Sequence, residues 1–72
     1  MRNNVRLKVG QKIKELRQKR GLTQEQLDES TGIDYKYLQK IEGKTPPNLK
    51  VETIEKIAKS LKVPCSKLLD FD

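Results

Sequence analysis

An all-α fold is predicted from three observations. Thr23 and Gln26 have the spacing of a capping box, T-x-x-Q, with Leu22 and Leu27 placed as a hydrophobic staple around it. A second helix start follows at Asp34, with Ile33 and Leu38 in the staple positions but Tyr37 where a box would need Glu or Gln. Apolar residues recur at helical spacing along the rest of the chain and supply one core: Val9, Ile13, Leu16, Leu22, Leu27, Ile33, Leu38, Ile41, Ile54, Ile57, Ala58, Leu61, Val63 and Leu68. Residues 23–43 therefore read as two short helices joined by a tight turn, and the remaining helices have to close around them.

Taken in order, residues 1–5 show no pattern and are expected to form a flexible arm, from which Arg2, together with Arg6, can reach a polyanion. A first helix is predicted over 6–20, with Val9, Ile13 and Leu16 on one face and Gly21 at its end. The second and third helices are predicted over 24–31 and 35–42. Gly32 is suited to a left-handed residue between them, and Gly43 is expected to end the third in the same way. The segment K-T-P-P-N-L-K after Gly43 has two prolines and no period, so it is a loop. A fourth helix is predicted over 51–62. Pro64 restarts the chain for a short last helix over 65–69.

Seventy-two residues make one small domain, 1–72, with no internal repeat. No apolar run approaches the ~20 residues of a membrane span, and no signal peptide is recognisable. The single Cys65 rules out an internal disulfide framework and fits a reducing, cytoplasmic setting. The chain has no His, no phosphate-binding loop and no metal-ligand spacing, so neither an enzyme nor a cofactor or metal protein is expected. The net charge of +6 is unevenly spread: residues 1–20 carry eight basic side chains against Glu15 alone, whereas 21–32 hold Glu25, Asp28 and Glu29 with no base. A basic end beside an acidic short helix is an oriented field suited to a polyanion.

The segments L-T-Q-E-Q-L at 22–27, G-I at 32–33 and Y-L-Q-K-I-E at 37–42 resemble the helix-turn-helix of the Cro/repressor-type (XRE) family of bacterial and phage regulators. The wider likeness runs from Val9 to about Leu69 and takes in G-Q-K-I-K-E-L-R before the motif and E-T-I-E-K-I-A-K-S-L after it. It implies a five-helix lambda-repressor-like DNA-binding domain. The chain departs from the family at Asp28, where Ala is usual, and at Thr31, where an apolar residue is usual. Lys62 stands where Gly is common, and I-E-G-K is one residue shorter than the common form.

The expected function is that of a sequence-specific DNA-binding transcriptional regulator, a repressor in the simplest case, with the helix at 35–42 in the major groove. Leu38 and Ile41 face inward, which leaves Tyr35, Lys36, Gln39 and Lys40 for base edges. The resemblance carries base contact most directly to Tyr35, Lys36 and Lys40. It places Gln24 at a phosphate beside the free N–H groups of its helix. Tyr37, Lys44, Thr45 and Asn48 are further phosphate candidates, and Tyr37 is equally suited to a half-buried core position. The resemblance also implies an ion pair between Arg17 and Glu42 that fixes the first helix to the third. Cys65, Leu69 and Phe71 are left as an apolar patch for a homodimer on a palindromic operator. No small-molecule ligand is expected. Two other readings keep the same fold: a protein-interaction adaptor that does not read DNA, and the DNA-binding antitoxin of a toxin–antitoxin pair.

Overall fold

The computed structural model describes residues 5–70, and every regular element among them is helical. The elements are α1 (Val5–Lys19), α2 (Gln24–Thr31), α3 (Tyr35–Ile41), α4 (Val51–Ser60) and α5 (Cys65–Leu68). Val5 belongs to α1, which starts one residue earlier than expected, and the rest of the expected arm, 1–4, lies outside the described residues.

Local chemistry sets most boundaries. The Thr23 hydroxyl accepts from Gln26 N–H at 3.0 Å, and the Gln26 side chain accepts from Thr23 N–H at 2.8 Å, so the capping box is complete. Asp34 caps α3 by accepting from Lys36 N–H at 3.1 Å. Between these helices Gly32 turns left-handed at φ 76° and donates to Asp28 C=O. Thr31 shares in the same turn. Its hydroxyl donates to Leu27 C=O at 2.8 Å and accepts from Ile33 N–H at 3.1 Å. A polar residue fits there because it joins the end of one helix to the approach of the next.

Helices α1 and α4 end with the same hydrogen-bond pattern. After α1, Leu22 N–H bonds Arg17 C=O and Gly21 N–H bonds Gln18 C=O. After α4, Val63 N–H bonds Ala58 C=O and Lys62 N–H bonds Lys59 C=O. Both are Schellman closures, which need one left-handed residue. In α1 that residue is Gly21; in α4 it is Lys62, at φ 58°. The left-handed turn stops α4 at Ser60, short of the predicted 62, at a side-chain strain of roughly 1–2 kcal/mol. Gly43 departs from expectation differently. It is not left-handed; its N–H bonds Lys40 C=O at 3.1 Å, so α3 ends on a tightened last turn.

Ten apolar residues form the core, with Ile13, Leu27, Leu38, Ile41, Ile57, Leu61 and Leu68 fully enclosed. Leu22, Ile33, Tyr37, Leu49, Ile54 and Val63 pack against it part-buried. Helix α2 lies on α3 and α4, and α5 closes over α4 and α1. Helix α1 meets the end of α3 through Gly10, which is buried with the Ile41 backbone directly above it.

Candidate nucleic-acid interface

Helix α3 has two unlike faces. Leu38 and Ile41 are wholly buried, which fixes its rotation against the core. Lys36, Gln39 and Lys40 are exposed on the other side, and Tyr35 is half-buried at the first turn. An α-helix fits the ~12 Å major groove, and these are side chains that donate to guanine O6/N7 or pair with adenine. The exposed face carries two cations, whereas Asp34 is held at the helix start by its capping bond.

One buried carboxylate organises the end of α3. Glu42, the residue that closes this helix, takes Arg17 Nε on Oε2 at 2.8 Å and Arg17 Nη2 on Oε1 at 2.9 Å. The two side chains are 9% and 2% exposed, so the fork is desolvated. Arg17 Nη1 also donates to Leu22 C=O at 2.7 Å. A third donor is Gln24, whose Nε2 lies 3.0 Å from Glu42 Oε1. The first residue of α2 is thus tied to the last turn of α3. Gln24 is half-buried rather than a free side chain at the helix start, and its amide has one N–H directed inward.

The other candidates separate. Tyr37 packs part-buried against the core, which is the alternative the sequence left open for it. Lys44 and Thr45 are exposed directly after α3. Asn48 instead lines a groove of about 110 Å³ with Val5, Leu49, Ile54 and Leu69. This groove is the apolar surface that continues from half-exposed Leu69. It runs toward α1 and the 46–49 loop; Cys65 is exposed and is not among the residues that line it. Phe71, the third residue expected there, lies outside the described residues. Val5 and Leu49 went unnoticed in the sequence because one falls in the supposed arm and the other in a proline-rich loop.

Among the described residues, no three His, Cys, Asp or Glu side chains are grouped to hold a metal ion, and no helix is long and apolar enough to cross a membrane.

The chain is similar to known proteins in sequence and in fold. The sequence profile of the helix-turn-helix domain family matches residues 10–70. The control protein C.BamHI of Bacillus amyloliquefaciens is 40% identical over 72 residues, 99% of this chain and 88% of that protein. The HTH-type transcriptional regulator SinR of Bacillus subtilis is 34% identical over 62 residues, 86% of this chain but 56% of its own length. Among solved structures, the tetramer of the restriction-modification controller protein C.Esp1396I, in complex with its natural 35 base-pair operator, superposes with a TM-score of 0.83. It is 30% identical, over 96% of this chain and 90% of that one. With its capped α2, its turn at Gly32 and its half-buried, half-cationic α3, the chain belongs to the helix-turn-helix family of transcriptional regulators.

Proposed function

We propose that the chain controls transcription by occupying a palindromic DNA operator as a symmetric dimer, with one α3 in the major groove of each half-site. The observation that carries this reading is the exposed face of α3: Lys36, Gln39 and Lys40 point away from a core that holds Leu38 and Ile41 immobile. Tyr35, Lys36 and Lys40 are assigned to base edges, with Gln39 at their flank. The start of α2 supports a phosphate contact, because its first N–H groups have no intrahelical acceptor and the helix dipole favours an anion. Gln24 is assigned there. Lys44 and Thr45 are assigned to the backbone after α3, and Tyr37 to a phosphate by its hydroxyl only; Asn48 lines the groove beside Leu69 and is left to that surface. Occupancy of a promoter makes repression the simplest outcome. The near full-length likeness to the control protein C.BamHI and to the restriction-modification controller protein C.Esp1396I supports a control protein of that kind, acting on restriction-modification genes.

Duplex binding is expected to weaken steeply with salt, with a log–log slope of about −0.9 per phosphate contact. Lys36→Ala and Lys40→Ala are each expected to lose on the order of 1–3 kcal/mol of discrimination between bases. Gln24→Ala should instead weaken all sequences alike. Site selection from a random duplex pool, followed by titrations at several salt concentrations, measures both effects. A parent protein that binds no duplex at low salt overturns the reading and favours the adaptor.

One recognition helix reads too few base pairs to find a site in a genome, which is the reason for the dimer. The groove beside Leu69 supports a two-fold contact, in which the same apolar surface is covered on both partners. Leu69→Glu places a charge on a side chain that is already 50% exposed, so the monomer should still fold. In sedimentation experiments the parent is expected to be dimeric on a palindromic site and the variant monomeric. A parent that stays monomeric and binds one half-site as tightly as the palindrome defeats the dimer.

A further inference from the structure

We propose that Glu42 is a positioning residue for DNA binding, which holds the Gln24 amide so that α2 and α3 present phosphate and base contacts as one unit. The inference rests on the DNA-binding reading above and adds a role for a residue that has no exposed polar atom of its own to offer. A carboxylate only accepts hydrogen bonds, so Glu42 forces the Nε2 end of the Gln24 amide to face it. A side-chain NH2 has two donors, so with one N–H spent on Glu42 the other is left for a second acceptor in a fixed plane. A surface glutamine would otherwise sample many rotamers and either amide orientation, and would have to be ordered on binding at an entropic cost. Glu42 itself cannot drift, because both its oxygens are held by Arg17 and the Arg17 guanidinium is anchored in turn on Leu22 C=O. Leu22 and Gln24 flank the N-cap Thr23, so the network grips both sides of the α2 start. Glu42 follows directly on α3. A change in the seating of α3 is therefore passed through one carboxylate to the phosphate contact.

The test is a set of duplexes with single methylphosphonate substitutions, each removing the charge of one backbone phosphate. Parent protein is expected to lose affinity at several phosphates of each half-site, about tenfold at the one that Gln24 meets, as befits a hydrogen bond to a charged group. Gln24→Met is expected to bind the unmodified site about tenfold more weakly and to be indifferent to that substitution. Glu42→Gln, compared at a temperature where circular dichroism shows it folded, should likewise lose sensitivity at that phosphate while still responding at the others. A folded Glu42→Gln protein with the parent's full phosphate pattern overturns the proposal and leaves the DNA reading standing; a parent that binds no duplex at all fails that reading instead. If Glu42→Gln does not fold, the parent alone decides by nitrogen-15 relaxation. The Gln24 side-chain amide should be as ordered as the backbone in free protein, unlike those of exposed Gln11 and Gln39. A mobile Gln24 amide overturns the proposal.

Discussion

Arg17→Met is expected to melt at least about 10 °C below the parent. Glu42 has one negative charge in a site where its side chain is 2% exposed, and Arg17 supplies two of the three donors it holds. With Met at position 17, Gln24 Nε2 is the one remaining donor of the three, and Leu22 C=O loses the Arg17 bond as well. Breaking a buried pair from one side costs about 3–5 kcal/mol, mostly from the charge left behind. For a domain of this size each kcal/mol lowers Tm by roughly 4–8 °C. Total stability of small domains is only about 5–15 kcal/mol, so a sizeable unfolded population at growth temperature follows. Glu42→Gln should cost less, since an amide carries no charge to strand. The double replacement Arg17→Met/Glu42→Leu should recover much of the loss, because a buried pair exchanged for packed apolar groups is often near neutral. Thermal melts of the parent, Arg17→Met, Glu42→Leu and the double replacement make the cycle. A single Arg17→Met protein that melts with the parent shows that the pair contributes nothing.

What the sequence made legible divides by range. Caps, staples and helical spacing act within about five residues, so the Thr23 box, the Asp34 cap, the turn at Gly32 and the inward residues of α3 follow from neighbouring letters alone. Lys62 shows the limit of that reading. Its place four residues after Ala58 allows a Schellman turn, but only the fold makes the closure worth the strain of a left-handed lysine. Contacts across helices carry no local signal. Nothing near Gln24 in sequence announces Glu42, 18 positions away, and the link of Glu42 to Arg17, 25 away, was implied by resemblance alone. The groove at Leu69 is similar. Its walls come from α1, the 46–49 loop and α4, which periodicity within the last helix does not reveal. Thr31 departs from the apolar residue usual at its position. Its two hydrogen bonds show a connector that needs a hydroxyl.

Gly10→Ala gives the other large effect, and its sign is opposite to that of the usual rule. An Ala in the middle of a helix is ordinarily more stable than Gly by about 1 kcal/mol. Gly10 is in the middle of α1 with helical backbone, so propensity alone predicts a gain. Packing predicts the reverse. A Cβ built on Gly10 overlaps the carbonyl oxygen of Ile41 and stands 3.2 Å from its carbonyl carbon. Both are backbone atoms at the end of α3, and no rotamer change can move them aside. The two helices must separate, which opens the interface around fully buried Ile13 and Ile41. Overpacking costs typically 1–3 kcal/mol and occasionally more, and an overlap with backbone atoms that cannot move aside belongs at or beyond the top of that range, well above the propensity gain. Gly21→Ala is the comparison. Gly21 has φ 71°, but a Cβ there meets nothing within 4 Å, so its cost is backbone strain of roughly 1–2 kcal/mol alone. Gly10→Ala should therefore be the less stable of the two by thermal melting, although Gly10 has ordinary dihedrals. The displaced Ile41 also leads directly into Glu42, so the folded fraction of Gly10→Ala should bind duplex DNA more weakly, while Gly21→Ala should bind as the parent does. A Gly10→Ala protein as stable as the parent would mean that α1 and α3 are free to move apart, and that glycine is not what sets their crossing.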